Sequence, residues 1–463
     1  MPLPRRRLFA ALLVVCLGTL TAPLDSAVNI AFPSITAAFG LDQPDIRWVI
    51  ISYVLTYASL SLVFGKVGDL LGYRRVFVAG LVVSTLGFAA CAVAPHFAAL
   101  LIGRILQGVG AALSWSCAPA LATSLYPERE RTRVLGFYSA AIAIGTALGP
   151  LAGGVLVQSY GWRVVFWARL PLVLTGLALA WLIPAMPRIS ARRRYDWTGA
   201  LLLIAWLAAL LLVAARPEME HAAAASGVLL VGGLACFVAF LVHESRHVDP
   251  IIRPSLFQDP AFLVLNLASI AVNLAGFSVM LLVPFHLAVT MGLAPALGGL
   301  ILSCNATGVI AGSLVAGKLA TRLGQAPVAY LGTAISVVGL TLVTTWTFHT
   351  PPLHMAASLG LQGFGLGLFQ VAYSDRVLAT LPQSDRGVAG SLTLVTRTLG
   401  VIGAASGLTA LNHALDASAA SARQPDAVLV AFQQTFAVVA SGLGLGMCLV
   451  AATAAISRWR NQV

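Results

Sequence analysis

The 463 residues are 59% hydrophobic and only 10% charged, with a mean hydropathy of +0.90, whereas a soluble domain carries about a quarter charged residues. That excludes a water-soluble globule. Continuous apolar runs of about twenty residues also exclude a closed membrane barrel, whose strands alternate over about ten. The net charge of +12 is no sign of nucleic acid, because the basic residues sit in short segments between apolar runs and no nucleic-acid module is present.

Fourteen apolar runs read as membrane helices, at about 8–36, 45–67, 75–94, 97–122, 133–158, 164–186, 197–214, 224–242, 260–287, 294–318, 327–348, 353–374, 387–413 and 429–456. An even count places both termini on one side. If that side is the cytoplasm, its segments hold twenty-one Lys and Arg, against Arg47, Arg163, Arg216 and Arg423 opposite. The positive-inside rule favours this orientation. The first run, behind Arg5-Arg6-Arg7, is expected to stay as a span and not to be removed as a signal peptide.

Within that run, TAPLDSAVNIAFP places Asp25 where an apolar residue would do. A carboxylate inside a span costs about 2.5–3.5 kcal/mol on insertion scales. It is a fixed counter-ion, a proton carrier, or the mark of a helix break flanked by Pro23 and Pro33. Tyr53 and Tyr57 share a face of the second run, as packing or as an aromatic wall for a lipophilic ligand. The segment Gly65-Lys-Val-Gly-Asp69-Leu-Leu-Gly72, followed by Tyr73, Arg74 and Arg75, closes the second run. Gly317-Lys-Leu-Ala-Thr-Arg-Leu-Gly324 closes the tenth and matches it at four of eight positions. This predicts an internal repeat of six spans, with two helices inserted between the halves. The domains are then 1–187, 188–258 and 259–463, the insert being preceded by the basic stretch RISARRRYD. Such paired halves build many secondary transporters.

Arg104 lies several residues inside the fourth run, three before Gln107, and needs a partner or water there. Gly145, Gly149 and Gly153 share one helical face, followed by Gly154 and kinked by Pro150, which allows close helix approach. Arg169, in the sixth run, either adds an intramembrane cation that favours anionic cargo or snorkels outward. His286 is expected as a polar tip among headgroups, and Asp375 and Asp385 as solvated helix ends. Arg397 lines a cavity or binds a helix C-terminus. The six cysteines lie singly in apolar runs, so neither a disulfide framework nor a metal site is expected. No enzyme signature is expected either: a Walker-type loop, HExxH, GxSxG and a Rossmann fingerprint are all expected to be absent.

These strings together resemble the major facilitator superfamily, and within it the fourteen-span branch of drug:proton antiporters. Leu24-Asp25-Ser-Ala-Val-Asn29-Ile-Ala-Phe-Pro33 is similar to the branch's LDxTxVNxALP signature, with Ser26-Ala27 replacing the common x-Thr pair. Gly65 to Arg75 is similar to the loop between spans 2 and 3, although Tyr73 stands where arginine is common. Arg104 to Gly108 resembles the RxxQG motif, and Gly145 to Gly154 the antiporter motif of exporters. Gly161-Trp162-Arg163 to Pro171 resembles WRWxFxxNxP, with Arg169 in place of the asparagine. The resemblance implies an all-α membrane fold of two six-helix bundles plus two central helices. It implies proton coupling through Asp25 and Arg104, and a substrate cavity including Asn29, Gln107, Tyr53, Tyr57 and Arg397. A conformational latch would be formed by Gly65, Asp69, Gly72, Arg74 and Arg75. The expected protein is a monomer of the cytoplasmic (inner) membrane that exports lipophilic small molecules against protons, with no other cofactor. A dedicated exporter of a metabolite, siderophore or lipid-like molecule is the alternative.

Overall fold

A computed structural model describes residues 5–127, 130–184, 196–214, 222–247, 254–380, 386–421 and 426–460. The chain divides into two compact units, 1–251 and 252–463. The first holds α1 (Arg5–Leu20), α2 (Ser26–Phe39), α3 (Arg47–Leu71), α4 (Tyr73–Ala92), α5 (Phe97–Ser124), α6 (Arg131–Tyr160), α7 (Val164–Trp167), α8 (Leu170–Ala178), α9 (Trp197–Ala214) and α10 (Ala222–Arg246). The second holds α11 (Pro260–Phe285), α12 (Pro295–Leu323), α13 (Gln325–Thr344), α14 (Pro352–Thr380), α15 (Arg386–Ile402), α16 (Thr409–Ser421) and α17 (Ala427–Arg460).

Eleven stretches among the described residues are long and apolar enough to cross a membrane. The expected fourteen are therefore not all recovered. The run 197–214 coincides with α9, Trp197–Ala214, of which Trp197–Trp206 is an apolar stretch. The run 387–413 is split by the π-helical turn Gly403–Leu408, whose sequence GAASGL widens the coil where small side chains leave room.

The first span is a broken helix. Pro23 has no N–H, so the carbonyl of Thr19 loses the donor that a continuous helix would supply. Trp115 of α5 replaces it, its Nε1 donating to Thr19 O at 3.0 Å. A 3₁₀ turn at Pro23–Asp25 then leads into α2, and Ser26 Oγ donates to Pro23 O at 2.9 Å. Irregular backbone at membrane depth persists only where such partners exist. Pro33 lies inside α2, so the break belongs to Pro23 alone. The sixth expected span is broken as well, between α7 and α8. Arg169 is the N-cap of α8, with Pro171 in its first turn.

The expected loop after the second run is a single residue. α3 continues to Leu71, and Gly72 alone turns the chain into α4, with φ +94° and its N–H donated to Gly68 O at 2.9 Å. Gly324 makes the same turn between α12 and α13, with φ +88° and its N–H donated to Ala320 O at 2.9 Å. Only glycine adopts such angles without strain, so the repeat legible in the sequence is a repeat of geometry. It continues into the packing. Gly80 and Gly87 bring α4 against the backbone of α5 at Ser114 and Gln107, while Gly332 and Gly339 bring α13 against α14 at Phe369 and Gln362. Interfaces between membrane helices need such small residues for close approach.

Candidate functional site

Asp25 sits on the 3₁₀ turn, and four hydrogen bonds converge on its carboxylate. Arg104 forks onto it, Nη1 to Oδ1 at 2.7 Å and Nη2 to Oδ2 at 2.8 Å. Arg169 Nη1 donates to Oδ1 at 2.6 Å, and Gln107 Nε2 to the same oxygen at 3.0 Å. Both guanidinium groups are buried, at 2% exposure each, whereas the Asp25 side chain keeps 14%. Bidentate arginine–carboxylate contacts are the strong form of this interaction.

Further donors of the two arginines are held by other acceptors. Arg104 Nε reaches Val49 O at 2.9 Å, and Nη1 shares a bond with Gln107 Oε1 at 2.9 Å. Arg169 Nη2 reaches Leu24 O at 2.8 Å, a carbonyl in the 3₁₀ turn. The Tyr53 ring lies 4.4 Å beneath the Arg104 guanidinium, and Phe88 faces Arg169 at 5.4 Å. The aromatic faces stabilise the cations where water is scarce. An ionised Asp25 neutralises one guanidinium of the two, so the cluster carries net charge +1. Arg169 therefore does not snorkel: the break at its own backbone turns its side chain inward to the aspartate.

The glycine face of α6 seats this turn. A Cβ on Gly145 would stand 2.7 Å from Leu20 Cδ2, and one on Gly153 would stand 2.7 Å from Ala27 Cβ. A Cβ on Gly149 would run into Ser26 Oγ. Gly149, Pro150, Gly153 and Gly154 are buried. The antiporter-like motif and the carboxylate thus occupy one packing unit, although they are about 120 residues apart in sequence.

The other expected site residues distribute unevenly. Tyr53 is buried and stacks on Tyr57 at 6.2 Å, and Tyr57 meets Trp115 edge-on at 5.9 Å. Asn29 is half-buried on α2, four residues after Asp25. Arg397 is exposed on α15 and belongs to the second unit. Gly65 is half-buried, Arg74 half-buried and Arg75 exposed; the side chain of Asp69 lies outside the described set, as does Asp385. Asp375 is exposed, as expected, and accepts from Gln325 Nε2 at 2.7 Å. His286 is not a headgroup tip. It is buried at 3%, its ring stacked on Phe432 at 3.9 Å and beside Trp346 at 6.0 Å. The apolar surroundings of the α11 end, not its position along the helix, decide that.

Among the described residues, the matching place in the second unit carries no charges. Gln362 of α14, the counterpart of Gln107, accepts from Asn305 and donates to Ser336 Oγ at 3.3 Å. Reading the sequence missed Arg169 as a partner of Asp25, since the two are 144 residues apart and nothing local links them. It also missed that residues 243–247 spell His-Glu-Ser-Arg-His, an H-E-x-x-H string plainly visible in the chain, so the expectation of no such signature is wrong.

The sequence profile of the Major Facilitator Superfamily matches residues 14–405. The riboflavin transporter RibZ of Clostridioides difficile is 26% identical over 95% of this chain and 96% of its own. The multidrug resistance protein Stp of Mycobacterium tuberculosis is 29% identical over 84% of this chain and 73% of its own. A crystal structure of the peptide transporter POT in complex with sulfate superposes with a TM-score of 0.72 at 16% identity, covering 97% of this chain and 94% of that one. That likeness concerns the fold.

Proposed function

Because the chain belongs to the major facilitator superfamily, and is a multi-pass membrane transporter and not an enzyme, we propose that it is a proton-coupled exporter of drugs or other lipophilic small molecules, of the fourteen-span antiporter branch. It works by alternating access in the cytoplasmic membrane, with both termini in the cytoplasm and α9 and α10 inserted between two six-helix halves. The observation that carries this reading is the Asp25–Arg104–Arg169 cluster, set on a helix break and seated on the glycine face of α6. Asp25 is its one titratable carboxylate. Protonation would remove the counter-charge from two fixed cations, and a cargo bearing a negative group could then take its place, so that proton and cargo exclude each other. Antiport needs no more than that exclusivity. The likeness to Stp supports a drug as cargo.

The alternative, a dedicated exporter of a metabolite, siderophore or lipid-like molecule, is favoured by the match to RibZ over nearly both full lengths. In either case the net charge of +1 in the cluster favours neutral, zwitterionic or anionic cargo over dications. The test is substrate-screened efflux from everted vesicles under an imposed pH gradient, comparing wild type with Asp25→Asn. Gradient-driven transport undiminished in the variant would remove Asp25 from the mechanism, and coupling of a dication to two or more protons would overturn the charge preference.

A further inference from the structure

Away from the charge cluster, the start of α9 and the end of α10 bring four polar side chains together. Asp196 caps α9: its Oδ1 accepts from Gly199 N at 2.8 Å. The same oxygen lies 2.7 Å from His243 Nε2. Its other oxygen, Oδ2, is buried and receives no hydrogen bond from the described residues, while His247 Nδ1 stands 3.9 Å from it. One ligand atom from each of Asp196, His243 and His247 lies within 4.8 Å of the others. Glu244, also buried, faces the same place. A Cβ on Gly199 would stand 2.5 Å from Glu244 Oε1 and run into Asp196 Oδ2, so the glycine leaves a hollow walled by both carboxylates.

We infer that this cluster is a binding site for a divalent transition metal of the zinc class, held by Asp196, His243 and His247. A capping hydrogen bond explains Oδ1. It does not explain a second carboxylate oxygen buried without a donor beside two imidazoles, because such groups are normally satisfied. Histidines at i and i+4 lie on one helical face and are a recurrent zinc pair. Imidazole with carboxylate suits zinc, cobalt or nickel, whereas calcium and magnesium demand oxygen ligands. The helix ends are oriented to help: the C-terminus of α10 favours a cation, and the N-terminus of α9 favours the aspartate. Binding replaces the contact between His243 Nε2 and Asp196 Oδ1, because each ligand must turn a lone pair to the metal. The metal ties the two helices together outside the machinery of transport.

The test uses the full chain, purified with a tag free of histidine, and measures Zn²⁺ binding by calorimetry and Co²⁺ binding by its visible absorption. Wild type is expected to bind one equivalent. H247A leaves the Asp196–His243 contact in place and is expected to weaken binding at least tenfold, so that Zn²⁺ no longer raises its Tm as it does that of wild type. G199A fills the hollow and is expected to weaken binding too. H413A, on α16, is expected to bind as wild type does. If H243A and H247A both bind Zn²⁺ as tightly as wild type, or wild type takes up no stoichiometric metal, the site does not exist.

Discussion

Replacing Asp25 by asparagine preserves shape and removes one negative charge from between two buried cations. Four hydrogen bonds reach the carboxylate. An asparagine can accept only on its oxygen, and its amide then points N–H groups at a guanidinium. Removing one partner of a buried pair costs about 3–5 kcal/mol, because the survivor is left uncompensated. Here two survivors share one lost partner, which raises the cost, while the 14% exposure of Asp25 admits water and lowers it. A destabilisation of about 3 kcal/mol follows on these grounds, read as a fall in thermal unfolding temperature in detergent. The double variant Asp25→Asn/Arg169→Gln returns the cluster to net +1 and is expected to recover about 0.5–3 kcal/mol of that loss as coupling energy. Gradient-driven efflux is expected to stay absent in both, because the carboxylate is gone. Asp25→Asn with wild-type stability, or a double variant less stable than the sum of its parts, would refute the reasoning.

Arg169→Asn leaves the Arg104 fork intact but strips one donor from Leu24 O, which keeps the Ser26 N–H, at a cost of about 0.5–1.5 kcal/mol for the lost hydrogen bond. It also neutralises the cluster, so competition assays are expected to show a weaker preference for anionic over cationic cargo. Gly149→Ala drives a methyl into Ser26 and is expected to lose about 1–3 kcal/mol by overpacking, together with transport; Gly136→Ala, with open space around it, is the control that should retain both. Gly72→Ala and Gly324→Ala each force a side chain into positive φ and are expected to cost about 1–2 kcal/mol, equally if the two turns are equivalent, as paired thermal melts will show.

The membrane class, the matching turns at Gly72 and Gly324, the pairing of Asp25 with Arg104 and the close-approach face of the α6 glycines were legible because each leaves a local mark: apolar length, a repeated string, a charge where none is comfortable, or glycines at a spacing of four. Arg169 was legible as an anomaly but not as a partner. Its direction depends on a backbone break between Trp167 and Leu170 that apolar runs do not record. His286 misled for a related reason, since a helix end looks like an interface in one dimension and is a packed ring stack in three. The loop after the second run was overdrawn because polar residues suggest a loop, while Gly72 alone suffices to turn the chain. Residues 243–247 carried a signal of another kind, a spacing that composition-led reading passed over.

The partners of Asp25 are distant along the chain, Arg104 by 79 residues and Arg169 by 144. Synthesis proceeds at about 5–20 residues per second. The first span therefore emerges about 4–16 s before Arg104 and about 7–29 s before Arg169 at that rate. During that interval its aspartate must enter the translocon without either counter-ion, and the apolar residues around it must carry the segment into the bilayer alone. The length and apolarity of the run from Leu8 to Thr21 thus serve biogenesis as much as the finished fold: they hold an orphan charge at the membrane until the rest of the chain arrives to claim it.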